Sequence, residues 1–383
     1  MATDRRLSIA GIVDHDGQRD IHVQTLVSRR RPLQAAVFVP ERESQLTIPE
    51  DFHPAQVLLG ADAQSLVLRS EEGEVCFYQL NNGLWQAVQR FRPFEDPDVR
   101  LASMDFLPGE ISLSFTSTGG DHVVHSLFRN AAGQRRYGKI KTLPDFPGGA
   151  DRFAPSLRNK AFVLANENRL SLRYATTADV RWESSEVPEF QHLRISGKFD
   201  RLLGLRADGV LNLYELDDPH PEAHWTAFFL PIWYEGQDGP RYMWQSTGGT
   251  DDFEPKLSLI PLIVGSLKGT FYALIMAIPI ALLAAIYTSQ FLSPRIKSVV
   301  KPVMEIMASL PSVVLGFLAG LWLAPLIEDR VPSVLMMTAS VPLSAVLFGA
   351  GWSLIPYRTR ASIRPGWEFL PIMALTLLVA LLA

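Results

Sequence analysis

Eight histidines and one cysteine are spread through 383 residues, and their spacing decides what chemistry they could support. His220 and His224, in the run HPEAH, have the four-residue separation that sets two metal ligands on one helix face. Pro221 and the preceding Asp217-Asp218-Pro219 point to a loop, which removes that geometry. His122 and His125 lie in a strand-like run, where an odd separation sends them to opposite faces and prevents shared ligation. Asp14-His15-Asp16-Gly17 is read as a hairpin turn in preference to a charge relay. Cys76 has no partner for an internal disulfide, and within Glu74–Leu80 it is read as a small buried hydrophobe. No G-x-S-x-G, zinc-ligand pair or Gly-rich phosphate loop occurs, so neither an enzyme nor a metal or cofactor is expected. One carboxylate stands apart. Glu305 lies inside an apolar run, where ionisable groups mark functional positions by default.

The elements that must position it are membrane helices. Phe271 to Leu292 is 22 residues without a charge, and about 20 suffice to cross a bilayer core. A basic segment with Arg295, Lys297 and Lys301 follows between Pro294 and Pro302, and is expected as a loop. Further apolar runs cover Val303–Pro325, Val334–Ile355 and Phe369–Ala383. Four helices are therefore expected, over about 258–292, 303–325, 334–355 and 369–383. Lys and Arg are retained on the cytoplasmic side, and alternation puts Arg295–Lys301 and Arg358–Arg364 there together. Glu328-Asp329-Arg330 and everything before residue 257 then fall outside.

Charge divides the chain the same way. After residue 256 there are eight basic and four acidic residues, a net +4; before it the balance is 28 to 36, a net −8. An acidic region of about 250 residues, long enough to bury a core of its own, thus precedes a membrane domain. No basic patch with interleaved aromatics stands out, which argues against nucleic acid as a partner. The first residues contain neither a signal peptide nor an apolar run of membrane length, although the topology requires this region to be exported. The expectation is a fragment.

Self-similarity organises the acidic region. VLLGADAQSLVLRSEEGEVCFYQLNN (57–82) aligns without gaps to LRISGKFDRLLGLRADGVLNLYELDD (193–218). Leu66 meets Leu202, Gly73 meets Gly209, Tyr78 meets Tyr214 and Leu80 meets Leu216. The offset of 136 residues is about three units of ~45, and propeller blades repeat at ~40–45. Weaker copies lie at 5–27, 104–128 and 162–182. The expected fold is a β-propeller of WD40-like blades over residues 1–235, with a β-sandwich as runner-up. Residues 236–257 are expected to be an aromatic, Gly-rich linker. With Trp233, Tyr234, Tyr242 and Trp244 in and beside it, the linker would lay the propeller against the outer membrane face.

The membrane part carries a resemblance. WQSTGGTDDFEPKLSLIPLIVGSLKGTFYALIMAIPIALLAAIYTSQF (244–291) and EIMASLPSVVLGFLAGLWLAP (305–325) resemble the permease subunit of bacterial phosphate ABC importers, the PstC type. More narrowly, they resemble its long variant, which has a large domain before the permease core. The resemblance implies an all-α polytopic permease domain of MetI-like type in the bacterial inner membrane, with the propeller periplasmic. It implies a second permease subunit (PstA type), a cytoplasmic ATPase dimer (PstB type) and a phosphate-binding protein (PstS type) as partners. No G-x-x-x-x-G-K-[ST] occurs, so a partner must hydrolyse ATP. The late cytoplasmic loop by which such permeases dock on the ATPase has no counterpart before Ala383, which again suggests a truncated chain.

Within that frame, four residues are candidates for the translocation path. Lys268 sits at the outer mouth of the first helix, where its field could draw an anion or its ammonium snorkel to headgroups. Glu305 could line the path or pair with Lys301. Ser309 and Ser312 flank Pro311 and could donate to an oxyanion or bond back to their own helix. Pro279 and Pro311 are expected to kink helices, and Gly316 and Gly320 to allow close helix contact. Sulfate, molybdate or phosphonate are alternative substrates, and a membrane-anchored propeller serving as sensor or scaffold is the alternative of another class.

Overall fold

The computed structural model describes residues 6–15, 18–29, 37–46, 48–130, 133–249, 253–356 and residue 374. The chain divides into two compact units, residues 1–273 and 274–383.

The first unit is built from five consecutive antiparallel meanders. Sheet one is β1 (Arg6–His15), β2 (Gln18–Arg29) and β3 (Val37–Leu46). Sheet two is β4 (Pro54–Leu59), β5 (Ser65–Ser70), β6 (Val75–Asn81) and β7 (Leu84–Phe91). Sheet three is β8 (Leu101–Phe106), β9 (Ser112–Ser117), β10 (His122–Arg129) and β11 (Arg135–Leu143). Sheet four is β12 (Arg152–Pro155), β13 (Ala161–Ala165), β14 (Leu170–Tyr174) and β15 (Asp179–Ser184). Sheet five is β16 (His192–Ile195), β17 (Arg201–Leu205) and β18 (Leu211–Glu215).

Where the apolar residues go identifies the architecture. Successive strand residues face opposite ways, and β5 and β13 are apolar on both sides. In β13, Phe162 and Leu164 enter a core shared with sheet three, while Ala161, Val163 and Ala165 enter one shared with sheet five. In β5, Leu66 and Leu68 face sheet one and Val67 faces sheet three. Four cores thus lie between five sheets in sequence order. A β-sandwich has one core between two sheets, so that alternative fails. The described residues form a five-blade β-propeller domain, with the first strands of consecutive blades side by side: β1 by β4, β8 by β12 and β12 by β16. Gln56 of β4 joins the series by donating to the Met104 carbonyl of β8 at 2.7 Å.

The internal repeat is visible at the level of single hydrogen bonds. The turn between the first two strands closes identically in four blades: the N–H groups of Gly60, Leu107, Ser156 and Ser196 donate to the carbonyls of Ser65, Ser112, Ala161 and Arg201. The aligned pairs occupy equivalent places, since Leu66 is opposite Tyr78 and Leu202 is opposite Tyr214. Gly73 and Gly209 both take φ of 80° in the following hairpin turn, a conformation that a Cβ disfavours.

After β18 come a short helix α1 (Trp225–Phe229), a strand pair β19 (Trp244–Gln245) and β20 (Lys256–Leu257), and the long helix α2 (Ile260–Ile286). Helix α2 runs on through a π-helical turn at Tyr287–Phe291, giving 32 residues that include an 18-residue stretch of mean hydropathy 2.2. Helices α3 (Pro294–Ser309), α4 (Ser312–Leu318) and α5 (Ala324–Glu328) follow, with a second π-helical turn at Ala319–Leu323. Helix α6 (Val331–Leu354) contains an 18-residue stretch of mean hydropathy 1.8. Among the described residues, α2 with its extension and α6 are long and apolar enough to span a membrane.

Two expectations need correction. The basic segment at 294–302 is helix, not loop: Pro294 takes the first helical position, where its missing N–H is not needed. The run 303–325 is not one straight helix either, because α3 and the α4–α5 stretch meet at 82°. Leu310 precedes a proline and is pushed into extended conformation, ψ 134°, which breaks the hydrogen-bond ladder there. The run 369–383 and Arg358, Arg360 and Arg364 lie outside the described residues apart from residue 374.

Candidate functional site

The candidate path residues sit on three helices, with Glu305 and Ser309 sharing α3. Lys268 lies on α2 with its ammonium 5.8 Å from the Tyr272 ring centre. Glu305 lies one turn beyond Lys301 on α3, 4.0 Å from its ammonium, and both are exposed. The Ser309 hydroxyl donates to the Ile306 carbonyl at 2.7 Å, and Ser312 opens α4 just past the bend. Pro279 lies inside α2, and Pro311 at the break before α4. A methyl placed on Gly316 or Gly320 would meet no atom of the described residues within 4 Å.

The most elaborate polar site is elsewhere, and the sequence did not reveal it. The segment after the last blade inserts two glutamates between blades three and four. Lys160, in the turn before β13 and 1% exposed, donates to Glu235 at 2.6 Å and also to the Pro108 carbonyl of the blade-three turn. Lys141 of β11 donates to the Ala175 carbonyl at 3.0 Å and stands 3.8 Å from Glu254. Glu254 accepts from the Thr176 hydroxyl at 2.7 Å and from the Glu235 backbone N–H at 2.9 Å. The Gly236 N–H donates to Ser126 on β10. Burial, and then the neighbouring Glu254, push the Glu235 carboxyl above its ordinary pKa, with Lys160 opposing; burial pushes the Lys141 ammonium down.

Chemically this is a latch. Isolated buried charges are costly, so two lysines on adjacent blades demand the two glutamates that the pre-membrane segment brings. The expected linker at 236–257 is therefore, where described, docked on the propeller. Trp233 packs against the core between blades three and four and donates its indole N–H to the Gln237 carbonyl, and Tyr234 is buried. Tyr242 and Trp244 remain exposed. Glutamates 19 residues apart gave no periodic signal; they meet only through tertiary folding.

The histidines have structural partners. His122 is buried, with Nε2 2.8 Å from the Ser114 hydroxyl and Nδ1 3.0 Å from the Arg173 guanidinium. Burial and Arg173 push its pKa down to about 3. His125 stacks on Phe91, and burial lowers its pKa to about 4. His224 caps α1 and lies 3.3 Å from Asp179, while His220 lies 3.2 Å from Glu222. Among the described residues no group of histidine, cysteine and carboxylate side chains is placed to hold a metal. Cys76 is buried and free, and burial raises its pKa.

Fold and site together define a class: a β-propeller latched to the segment that leads into apolar helices of membrane-spanning length. Over 67 residues the chain is 34% identical to "Probable ABC transporter permease protein YqgH" of Bacillus subtilis (strain 168), covering 18% of this chain and 22% of that protein. The chain thus matches about a fifth of the length of that curated relative, a similarity that supports a transporter permease. No protein-family profile matches. Structures similar in fold include Sqt1 of Chaetomium thermophilum, with TM-score 0.36 and 15% identity over 51% of this chain and 53% of that one. The Cps50 (Swd1) β-propeller domain of Myceliophteria thermophila gives 0.37 and 9% over 52% and 66%.

Proposed function

We propose that the chain is a transmembrane subunit of an ATP-driven importer that forms part of the path for inorganic phosphate or a related oxyanion. The observation that carries this reading is the similarity to an ABC transporter permease together with two apolar helices of spanning length. On this reading the membrane domain is of MetI-like type in a bacterial inner membrane, and the propeller is periplasmic. A second permease subunit, a cytoplasmic ATPase pair and an extracytoplasmic phosphate-binding protein complete the machine. A hydrated anion entering such a path must meet hydrogen-bond donors before its water is removed, and alternating access by rocking of two permease subunits would provide this stepwise.

The α3 bend also fits a permease better than a simple tether, since helices broken at prolines are tolerated where they are buried in protein or line a cavity. Glycines left open on α4 and in the turn after it suit packing against a second subunit. The test is uptake of radiolabelled phosphate into membrane vesicles holding the protein with its permease, ATPase and binding-protein partners. ATP-dependent uptake that needs this chain supports the reading, and competition by sulfate, molybdate or phosphonate ranks the substrates. Uptake unchanged without the chain overturns it.

A further inference from the structure

The second unit contains a groove of about 470 Å³ between the π-helical turn Tyr287–Phe291 and α3. Two adjacent rows of α3, each stepping by four residues, form its wall. One row is Lys297, Lys301 and Glu305; the other includes Val300 and Met304, with Leu292 closing the apolar floor. At about 100° per residue, all the charged residues of α3 (Arg295, Lys297, Lys301 and Glu305) lie on one half of its circumference. Ile296, Val299, Val303 and Ile306 lie on the other and are exposed. Helix α3 is thus amphipathic, and it meets the following helices at 82°. If α4–α5 enters the bilayer, α3 lies near the membrane plane, as interfacial amphipathic helices do.

We infer that this groove binds an anionic phospholipid of the cytoplasmic leaflet, its phosphate against Lys297 and Lys301 and an acyl chain along Val300, Met304 and Leu292. The inference rests on the reading that α2 and α4–α5 sit in a bilayer with α3 on the cytoplasmic side. Charge selects the occupant. Two lysines and the neighbouring Arg295 outnumber Glu305, which suits an anionic headgroup and gives no preference for a zwitterionic one. The apolar floor discriminates further, because free phosphate gains nothing from Val300 or Met304, whereas each acyl methylene does. Glu305 already stands 4.0 Å from Lys301, so Lys297 is the less compensated of the two cations.

The probe is phosphatidylglycerol against phosphatidylcholine, supplied to the detergent-purified, delipidated protein and counted by native mass spectrometry. Each basic residue near an anionic surface contributes about fivefold, so Lys297→Gln with Lys301→Gln should weaken phosphatidylglycerol retention by about 25-fold. Val300→Trp should fill the groove and weaken both lipids. Lysines 297 and 301 are exposed, and an unchanged melting curve would confirm that the double variant folds. Equal retention of the two lipids by the wild type, or retention unchanged in the double variant, overturns the inference. So does displacement of phosphatidylglycerol by millimolar inorganic phosphate, which would make this a site for the free anion. Lipid counts in detergent do not depend on sidedness. Loss of phosphatidylglycerol preference with α3 still cytoplasmic sinks the groove alone, whereas an extracytoplasmic α3 sinks the topology.

Discussion

Replacing Lys160 by Met tests the latch most sharply. The side chain is buried, with one bond to Glu235 at 2.6 Å and another to the Pro108 carbonyl. Its removal leaves the Glu235 carboxylate buried, with Glu254 bonded to its backbone N–H. Breaking a buried pair from one side typically costs about 3–5 kcal/mol. For a domain of 150–250 residues each kcal/mol moves Tm by about 2–4 °C, so Lys160→Met should lower the propeller's Tm by about 6–20 °C. The assay is thermal unfolding of the detergent-purified protein by tryptophan fluorescence, with Trp233 beside the latch as one reporter. Lys160→Met combined with Glu235→Leu removes both charges and should cost clearly less than the single change, because no orphan carboxylate remains. A single-mutant loss below about 1 kcal/mol, or strictly additive losses, would refute the account of the latch as a mutually dependent buried pair.

Other expectations follow from titration, backbone and membrane chemistry. Asp105 on β8 is pushed up to about 7 by burial, with Arg69 opposing. The folded state therefore keeps a proton that the unfolded chain has released, and this contribution to stability is lost as pH rises from about 4 to 7, at most about 4 kcal/mol. Asp105→Asn should abolish that slope and match or exceed the wild type at pH 8 in urea unfolding. His122 and His125, lowered to about 3 and about 4, act oppositely: stability falls as pH drops below about 6.5, where only the unfolded chain takes up their protons. Asp105→Asn should therefore leave a steeper acid limb in the same titration. Gly209 at φ 80° has open space around it, so Gly209→Ala should cost about 1 kcal/mol from backbone strain alone, read as a lower Tm. Leu347→Arg, within exposed apolar α6, should impair membrane insertion by about 2.5–3.5 kcal/mol, scored by alkaline carbonate extraction.

The propeller was legible because its signal is local and repeated. Four blades share a turn closed over five residues and leading into a central hairpin, and the pairs Leu66–Leu202, Gly73–Gly209 and Tyr78–Tyr214 record that requirement at a fixed offset. Helices α2 and α6 were legible for a similar reason, since uninterrupted apolar length suffices. Helix α3 was misread because two prolines suggested a loop. Pro294 in fact starts the helix and Pro302 is accommodated within it, and the one-sided placement of its charges was the signal available. The latch was not legible. The contacting pairs Lys160–Glu235 and Lys141–Glu254 are 75 and 113 residues apart in sequence, and ordinary surface charges look the same until the blades assemble. The four path candidates carry no comparable signal: an isolated Lys, Glu or Ser in an apolar run looks the same in sequence whether it lines a path or faces lipid.

The sidedness of α3 relative to the propeller decides the whole account. In a Cys76→Ala background, Glu72→Cys marks an exposed propeller turn and Ser298→Cys marks exposed α3. With a membrane-impermeant maleimide applied to intact spheroplasts, Glu72→Cys should label at once and Ser298→Cys only after lysis. Labelling of Ser298→Cys in intact spheroplasts, with Glu72→Cys protected until lysis, would contradict it.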